Sequence, residues 1–505
     1  VDIYNIYKLL LVNNLWNKSV LYYLYKFKKL HYLTLYNNIN NFNNIIDINQ
    51  NYIRGHNKLI TLHIILNSNN WTETEIISNL NKLQTKVTAC KNLLCNNKCQ
   101  GKLNKYNILF ILYYTKNKYL KIQLLKLLKI DNIKLYLPIL IKYIENDNIN
   151  DYSITDFIIN NCKTIDIYIE LFLQLFIIIN NNDLSIYKNA IQRIKDTIKN
   201  TDKLIYEYIT NSIQFINKLC KINKNNVNDE ICTINNFIKE NILYLPFSVN
   251  KQIKFISSNI IIKDSKTNPI ILEIYFIDNT KIDILLKNED VRYDYIICKT
   301  IKFIETICNT NFITYEVIPI NNNCGLIEIV PKSYTLYEIK EQYNLTLQNF
   351  IMEKNKKQTI EIIKNKFIDS LSIYSVITYI LGIGDRHLDN IMITEDGILF
   401  HIDYSFCLGY DPKPFYPCIR ITQDMIDMIG GIKSDGYNIF IKKSNNYYNI
   451  IRKYTNIISI YISLLNSIDT NIFNNDFIKN HIKKKFIYPE SDMYAQNILN
   501  NTIIN

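Results

Sequence analysis

The fold of the C-terminal part of the chain is decided by one stretch, YILGIGDRHLDNIMITEDGILFHIDYSFCLG, at residues 379–409. In it, Gly382 and Gly384 end an apolar segment and permit a sharp turn, because glycine accepts positive φ angles. After a polar cluster, two short apolar runs flank an E-D-G turn, which predicts a β-hairpin. The hairpin is expected to bring Asn390 and Asp403, at its two outer ends, close together.

The polar cluster before the hairpin carries residue types that suit phosphoryl transfer. An amide oxygen and a carboxylate held side by side suit the divalent cations that accompany a nucleoside triphosphate. We predict that Asn390 and Asp403 bind Mg²⁺, with Mn²⁺ as an alternative ion, and that the nucleotide is ATP. Either Asp385 or His387 would accept the proton of the attacking hydroxyl, since an unperturbed histidine titrates near neutral pH. Arg386 belongs to the same catalytic group, but we expect it to tie the loop to neighbouring carboxylates.

The reversed triplet D-R-H, with D-N three residues after its arginine, resembles the lipid kinases of the phosphoinositide 3-kinase and 4-kinase superfamily. The alternative is a polar turn with a hydrogen-bonded histidine, and several matching positions in register disfavour it. The resemblance implies an α-solenoid helical domain followed by an α+β bilobal kinase-like domain. In such a domain the small lobe is rich in β-strands and the large lobe is mostly helical.

Composition limits the class of protein. The chain has 505 residues, of which 48% are hydrophobic, and a formal net charge of +12. This charge suits an anionic membrane surface or nucleic acid, but the lysines are scattered rather than clustered, and a solvated basic surface is the default interpretation. We expect no nucleic-acid partner. Eleven cysteines without paired spacing predict reduced thiols. The longest apolar runs are too short to cross a bilayer, so we expect a cytoplasmic protein that is peripheral at endomembranes.

Changes in composition divide the chain into five parts. Residues 1–50 form an N-terminal flank to which we assign no role. Residues 51–225 contain apolar-periodic segments with polar breaks, the pattern of stacked helix pairs, and resemble the accessory helical domain of phosphoinositide kinases. Residues 226–244 are rich in Asn and Lys and are predicted to be a linker. The small lobe would follow at 245–331 and the large lobe at 332–505.

In the small lobe, residues 253–262 and 270–277 are predicted to form two strands joined by a polar turn. The turn lies where the related kinases carry a phosphate-covering loop. The resemblance therefore implies that Ser265 and Lys266 contact the β- and γ-phosphates.

The next predicted strand ends at Lys287, and N-E-D-V-R-Y-D follows it. The resemblance implies that Lys287 holds the α- and β-phosphates, and that Asp294, with Tyr315, orients this end of the site. The alternative is a surface lysine with an extended aliphatic stem. Relative to the family pattern one residue is missing and a glycine is absent, which affects the turn after the strand.

The segment G-L-I-E-I-V resembles the hinge between the two lobes. The resemblance implies that adenine bonds to the backbone carbonyl of Glu328 and to the backbone N–H and carbonyl of Val330. Side chains at these positions are then free to vary.

The proline-containing loop after the hairpin lies where the family selects its lipid headgroup. Its basic residues are Lys413 and Arg420, fewer than the number typical of kinases that act on phosphorylated inositides. This loop is most similar to class III phosphatidylinositol 3-kinases, which implies transfer to the 3-hydroxyl of phosphatidylinositol, with regulatory protein subunits as partners. A 4-kinase or a related protein kinase is the alternative within the superfamily.

The sequence departs from the family at one important position. It reads D-Y-S, with Tyr404 and Ser405, where the family has D-F-G. A backbone that needs a positive φ at the third position would be strained by serine. A catalytically weakened kinase that acts as a scaffold is therefore a further hypothesis.

Overall fold

A computed structural model describes most of the chain. The described residues are 68, 71–84, 105–128, 132–148, 150–181, 185–264, 267–356, 358–412, 417–466, 472–487 and 490–504. The chain divides into two compact units, residues 1–131 and 132–505. Among the described residues, no helix combines the length and the apolarity that crossing a bilayer requires. The flank predicted at residues 1–50 lies outside the described residues.

The first unit contains three described helices, α1 (Glu73–Gln84), α2 (Lys105–Tyr114) and α3 (Lys118–Leu127). Reciprocal bonds between Thr72 and Glu75 cap the start of α1: each backbone N–H donates to the other side chain, at 2.8 and 3.4 Å. Asn117 caps α3, and its side-chain oxygen accepts the N–H of Leu120 at 2.9 Å. The helices predicted from the apolar periodicity are therefore present here.

The second unit begins with the helices α4 (Ile133–Tyr143), α5 (Ser153–Asn161), α6 (Ile165–Asn181), α7 (Ser185–Thr201), α8 (Lys203–Leu219) and α9 (Val227–Glu240). Helix α4 packs against α5, and α6, α7 and α8 each pack against the next helix, as stacked helix pairs do. The apolar faces of these helices form a common core, which includes Leu171, Ile194 and Phe215.

The linker predicted at residues 226–244 is wrong for most of its length, because α9 occupies it. Its apolar residues Val227, Ile231, Ile234 and Ile238 recur at helical spacing and are all buried. The abundance of Asn and Lys concealed this pattern, since those residues lie on the outer face of the helix.

The small lobe is built on one antiparallel sheet, formed by β1 (Ile253–Ile256), β2 (Ile261–Ile262), β3 (Ile270–Phe276), β4 (Lys281–Lys287), β5 (Val317–Asn321) and β6 (Cys324–Glu328). The strand order is β1-β3-β4-β6-β5, and β2 also pairs with β3. The strand predicted at residues 253–262 is thus divided into two short strands. Ile262 pairs with Ile270, which agrees with a hairpin turn between them.

Helix α10 (Arg292–Cys308) connects β4 to β5 and lies close to the sheet. Gly325 on β6 pairs with Lys287 on β4. A Cβ atom at Gly325 would lie only 2.1 Å from Val291 Cγ2, immediately before α10. Glycine therefore allows the start of α10, with Asp294 in its first turn, to approach the strand that ends at Lys287.

The large lobe contains a second antiparallel sheet, ordered β7 (Ser333–Thr335), β8 (Ile391–Thr394) and β9 (Leu399–His401). Its helices are α11 (Leu347–Lys354), α12 (Ile360–Leu381), α13 (Gln423–Met428), α14 (Asp435–Arg452), α15 (Thr455–Asn466), α16 (Asn475–Phe486) and α17 (Asp492–Ile504). The C-terminal half of α12 is buried, as its apolar sequence predicts. The fold class is confirmed: a helical region precedes a bilobal, kinase-like α+β domain.

Candidate active site

The turn at the end of α12 depends on glycine. Gly382 has φ +54°, and its N–H donates to the carbonyl of Thr378. A Cβ atom here would lie 2.5 Å from His481 Cε1 and 2.6 Å from the backbone nitrogen of Gly409. The close approach of α16 and of the segment after β9 thus fixes the point where the catalytic stretch begins.

Arg386 fastens this stretch to the hairpin. Its side chain is 8% exposed, and within the described part of the chain its guanidinium group donates only to main-chain carbonyls. The acceptors are Gly384 O at 2.7 Å, Ile402 O at 2.7 Å, Asn390 O at 3.2 Å and Asp403 O. The expected partners, neighbouring carboxylates, are therefore replaced by carbonyls on both sides of the hairpin. These contacts support the structural role expected for this arginine.

The hairpin predicted from the sequence is present, with Ile391 paired to His401. Asn390 lies just before this pair and accepts the N–H of Ile402 at 3.1 Å on its backbone carbonyl, which brings it beside Asp403. The Asn390 amide nitrogen donates to Asp385 O at 3.0 Å and lies 3.1 Å from His387 Nε2. The amide oxygen is thereby left as the atom that can bind a cation.

Lys287 closes the site from the small lobe. Its Nζ lies 3.4 Å from Asp403 Oδ2 and 3.0 Å from Glu289 Oε1. Burial by itself lowers the pKa of Lys287, but three neighbouring carboxylates outweigh this effect and raise the pKa above its usual value. Burial also favours protonation of Asp403, yet Lys287 and hydrogen bonds from Ser405 lower the pKa of that carboxyl group. A lysine cation and a carboxylate therefore face each other between the two lobes.

Asp294 and Tyr315 lie on either side of Tyr404. Asp294 accepts the N–H of Tyr404 at 2.8 Å and is 1% exposed. Burial raises the pKa of Asp294 to about 6, while Lys287 opposes this shift. The ring of Tyr315 is nearly parallel to that of Tyr404, with centroids 6.2 Å apart. The two residues predicted to orient this end of the site thus contact the residue that follows Asp403.

Ser405 does not adopt the strained backbone that its replacement of glycine suggested. Positive φ angles occur at Asp403 (+58°) and Asp385 (+50°), but not at Ser405. The Ser405 hydroxyl donates to Asp403 Oδ1 at 2.8 Å, and its N–H donates to the same oxygen at 3.2 Å. The D-Y-S sequence therefore fits its backbone, and the serine orients the carboxylate.

The two candidate bases lie next to each other. His387 Nε2 is 3.6 Å from Asp385 Oδ2, and its Nδ1 is 3.8 Å from Asp389 Oδ2. The backbone N–H of Asp385 donates to Asp411 Oδ2 at 2.6 Å. Both side chains border the segment that holds Asn390, so either can serve as the proton acceptor in the predicted reaction.

The predicted hinge residues are Glu328, the last residue of β6, and Val330 just after it. Glu328 exchanges two hydrogen bonds with Glu316: its N–H donates to the Glu316 carbonyl at 2.9 Å, and its Oε2 accepts the Glu316 N–H at 3.0 Å. The Val330 carbonyl accepts the Ser333 hydroxyl at 2.7 Å. Since a carbonyl has two lone pairs, this contact still permits the adenine bond predicted there.

Three predicted residues, Ser265, Lys266 and Lys413, lie outside the described residues. Arg420 is exposed and lines a cavity of about 520 Å³ together with Leu388 of the catalytic stretch and Ile503 of α17. The cavity therefore adjoins the loop to which headgroup selection was assigned.

Two contacts in the site escaped the sequence analysis. Glu289 pairs with Lys287, and a carboxylate two positions after a strand lysine is the signal that could have found it. Asp411 holds the backbone of Asp385, but 26 residues separate them and no local pattern links the two.

The bilobal domain, with a lysine on the small lobe facing an aspartate on a hairpin of the large lobe, is a kinase domain by its architecture. Residues 282–476 match the family model of phosphatidylinositol 3- and 4-kinases. This region of the chain is therefore similar to that family, as its resemblance implied.

Similar proteins include phosphatidylinositol 3-kinases from plants, animals and fungi. The chain is 36% identical over 183 residues to phosphatidylinositol 3-kinase VPS34 of Arabidopsis thaliana, which covers 35% of this chain and 22% of that protein. It is 35% identical over 191 residues to the type 3 catalytic subunit of Caenorhabditis elegans, covering 35% and 21%. It is 30% identical over 231 residues to VPS34 of Saccharomyces cerevisiae, covering 43% and 26%. The match thus spans about a fifth to a quarter of the length of these relatives.

Proposed function

We propose that this chain is a lipid kinase that transfers the γ-phosphate of ATP to the 3-hydroxyl of phosphatidylinositol. The observation that carries the proposal is the 3.4 Å approach of Lys287 Nζ to Asp403 Oδ2, with Asn390 beside Asp403 on the hairpin. This approach supports a site between the lobes at which Lys287 would bind phosphate and Asn390 and Asp403 would bind a divalent metal ion.

The donor set fits a metal ion that is held partly by a nucleotide. In the described part of the chain, no group of three or more His, Cys, Asp or Glu side chains could hold a metal ion by itself. Asn390 and Asp403 would supply two oxygen ligands, and phosphate oxygens would complete the shell of Mg²⁺ or Mn²⁺. The bound ion would neutralise charge on the phosphates. When the nucleotide binds, the Lys287 ammonium group would leave the Glu289 carboxylate and pair with a phosphate group.

The protein residues have separate tasks in this proposal. Asp385 or His387 accepts the proton of the inositol hydroxyl. Arg386 holds the carbonyls of the loop and the hairpin, and Asp294 holds the backbone after Asp403. Positioning and charge neutralisation then supply most of the acceleration, as in phosphoryl transfer generally.

The substrate assignment rests on the relatives, which are named phosphatidylinositol 3-kinases. We also propose an anionic membrane surface and regulatory protein subunits as partners, with a peripheral location at endomembranes. Incubation with Mg-ATP and vesicles of phosphatidylinositol, followed by headgroup analysis, tests the assignment. We expect the 3-phosphate. A 4-phosphate would instead support the 4-kinase alternative, and phosphorylated protein without lipid product would support the protein kinase.

Substitution of Asp403 by asparagine tests the metal site. Asp403→Asn should lower lipid phosphorylation by at least about a hundredfold, because the charge that holds the cation is lost. Asp278→Asn is a matched control, since Asp278 is an exposed carboxylate in the turn between β3 and β4. Unchanged turnover in Asp403→Asn would remove this residue from the metal site.

One observation favours a scaffold without catalysis as a second candidate. Both oxygens of Asp403 already have partners, since Oδ1 accepts from Ser405 and Oδ2 contacts Lys287. If these contacts persist, the carboxylate binds no cation. Thermal denaturation with Mg-ATP separates the candidates, because a ligand at a hundred times its Kd stabilises the folded protein by about 2.7 kcal/mol. Absence of any Mg-ATP stabilisation would favour the scaffold.

A further inference from the structure

Helix α10 is attached to the nucleotide site at its first turn. Asp294 accepts the N–H of Tyr404 at 2.8 Å, directly after the predicted metal ligand Asp403. The neighbouring position, Tyr295, points to another side of the helix, because successive helical residues are about 100° apart. Tyr295 and Lys299, four residues apart, share that second side.

On this second side, α10 meets helix α6 of the helical region through buried polar groups. Lys299 Nζ lies 3.2 Å from Glu170 Oε1. Gln174 Nε2 donates to the hydroxyl of Tyr295 at 2.9 Å and to Glu170 Oε1 at 3.0 Å. All four residues are at least nine-tenths buried. The described mechanism uses none of them.

The same cluster reaches the hinge. Lys299 Nζ also lies 3.3 Å from Glu316 Oε2. The Glu316 backbone exchanges two hydrogen bonds with Glu328, one with its N–H and one with its carboxylate; the Glu328 carbonyl is the predicted adenine contact. Lys299 of α10, which pairs with Glu170 of α6, is therefore linked to both ends of the nucleotide site. It is linked to Asp294 through its own helix and to Glu328 through Glu316.

Stability alone gives little reason for such a cluster. Burying charges is unfavourable, and well-packed apolar residues often serve a core equally well or better. Burial lowers the pKa of Lys299, but Glu170 and Glu316 outweigh it and raise the pKa above its usual value, so the charge persists. Hydrogen bonds of fixed direction instead restrict how α10 can rotate or slide against α6.

We propose that Glu170 and Gln174 of the helical region are positioning residues for the nucleotide site, acting through Tyr295 and Lys299. They fix the orientation of α10 and thereby the position of Asp294. Through Lys299 and Glu316 they also fix the position of the hinge residue Glu328. The helical region is then a support of ATP binding rather than a passive scaffold. This inference rests on the proposed function for its choice of nucleotide.

The test compares variants of the full chain by the Kd for Mg-ATP, measured by calorimetry, and by the separate KM values for ATP and lipid. Lys299→Met should raise the Kd and KM for Mg-ATP by about tenfold and leave the KM for phosphatidylinositol unchanged. Lys299→Arg should restore most of the affinity, because it keeps the charge and the donors. Lys239→Met is the control, since Lys239 is an exposed lysine in the last turn of α9.

Two milder variants keep the proposal testable if Lys299→Met does not fold. Tyr295→Phe removes one hydroxyl, and Glu170→Gln removes one charge while keeping a hydrogen-bonding side chain. We expect each to raise the KM for ATP about threefold. A merely structural cluster would lower the melting temperature and leave the KM for ATP of the folded fraction unchanged, and that result would overturn the proposal. Failure of the unsubstituted chain to bind Mg-ATP would instead overturn the proposed function.

Discussion

Replacement of Arg386 by lysine tests whether the guanidinium group holds the catalytic stretch to the hairpin. Four carbonyls on both sides of the hairpin accept from it. Lysine keeps the charge but offers a single nitrogen, which cannot span both sides, so we expect about two of the four bonds to be lost. At roughly 1.5–3 kcal/mol for each charge-assisted bond, the destabilisation is about 3–6 kcal/mol.

The assay combines thermal denaturation, calorimetric titration with Mg-ATP and the pH dependence of kcat. The melting temperature should fall and Mg-ATP should bind more weakly, because Asp403 loses the contact that fixes its backbone. The pH dependence of kcat should stay the same, since Arg386 takes no part in proton transfer. Arg193→Lys is the control, because Arg193 is an exposed arginine on α7, outside the kinase-like domain.

Two results would refute this reasoning. Unchanged melting together with unchanged Mg-ATP affinity would mean that the four contacts do not hold the loop. Normal stability with a displaced pH profile would mean that Arg386 acts on the transferred proton directly.

Two further predictions concern α16 and its neighbours. Gly382→Ala should destabilise the protein by at least about 2 kcal/mol in thermal denaturation, because of the positive φ and the contact with His481. Gly431→Ala should destabilise it less, since Gly431 also has a positive φ but an added Cβ there would meet no atom within 4 Å. Equal losses of stability in the two variants would contradict the role of the His481 contact. Burial lowers the pKa of His481 to about 4 from 6.5, so between these values the unfolded chain binds a proton that the folded chain does not. Stability should therefore fall by up to about 3 kcal/mol as pH falls through this window. His481→Gln should flatten the curve, and an unchanged slope would exclude His481 as the cause.

Local pattern was sufficient for the hairpin and its flanking residues. Apolar runs around an E-D-G turn specify the pairing of Ile391 with His401, and this register carries Asn390 to Asp403. Composition was misleading for α9, because an excess of Asn and Lys hid four apolar residues at helical spacing. The backbone at Ser405 could not be judged from sequence, since the φ angle depends on the contacts of its neighbours rather than on its own identity.

The sequence by itself determined the resemblance to a kinase family, the hairpin and the types of residue in the site, because these follow from short-range spacing. Only the tertiary structure decided which groups meet across long separations: Lys287 with Asp403, Asp385 with Asp411, and Lys299 with Glu170. The physical reason is that each of these contacts depends on how separately formed helices and strands pack, and packing is a property of the whole core rather than of any one segment.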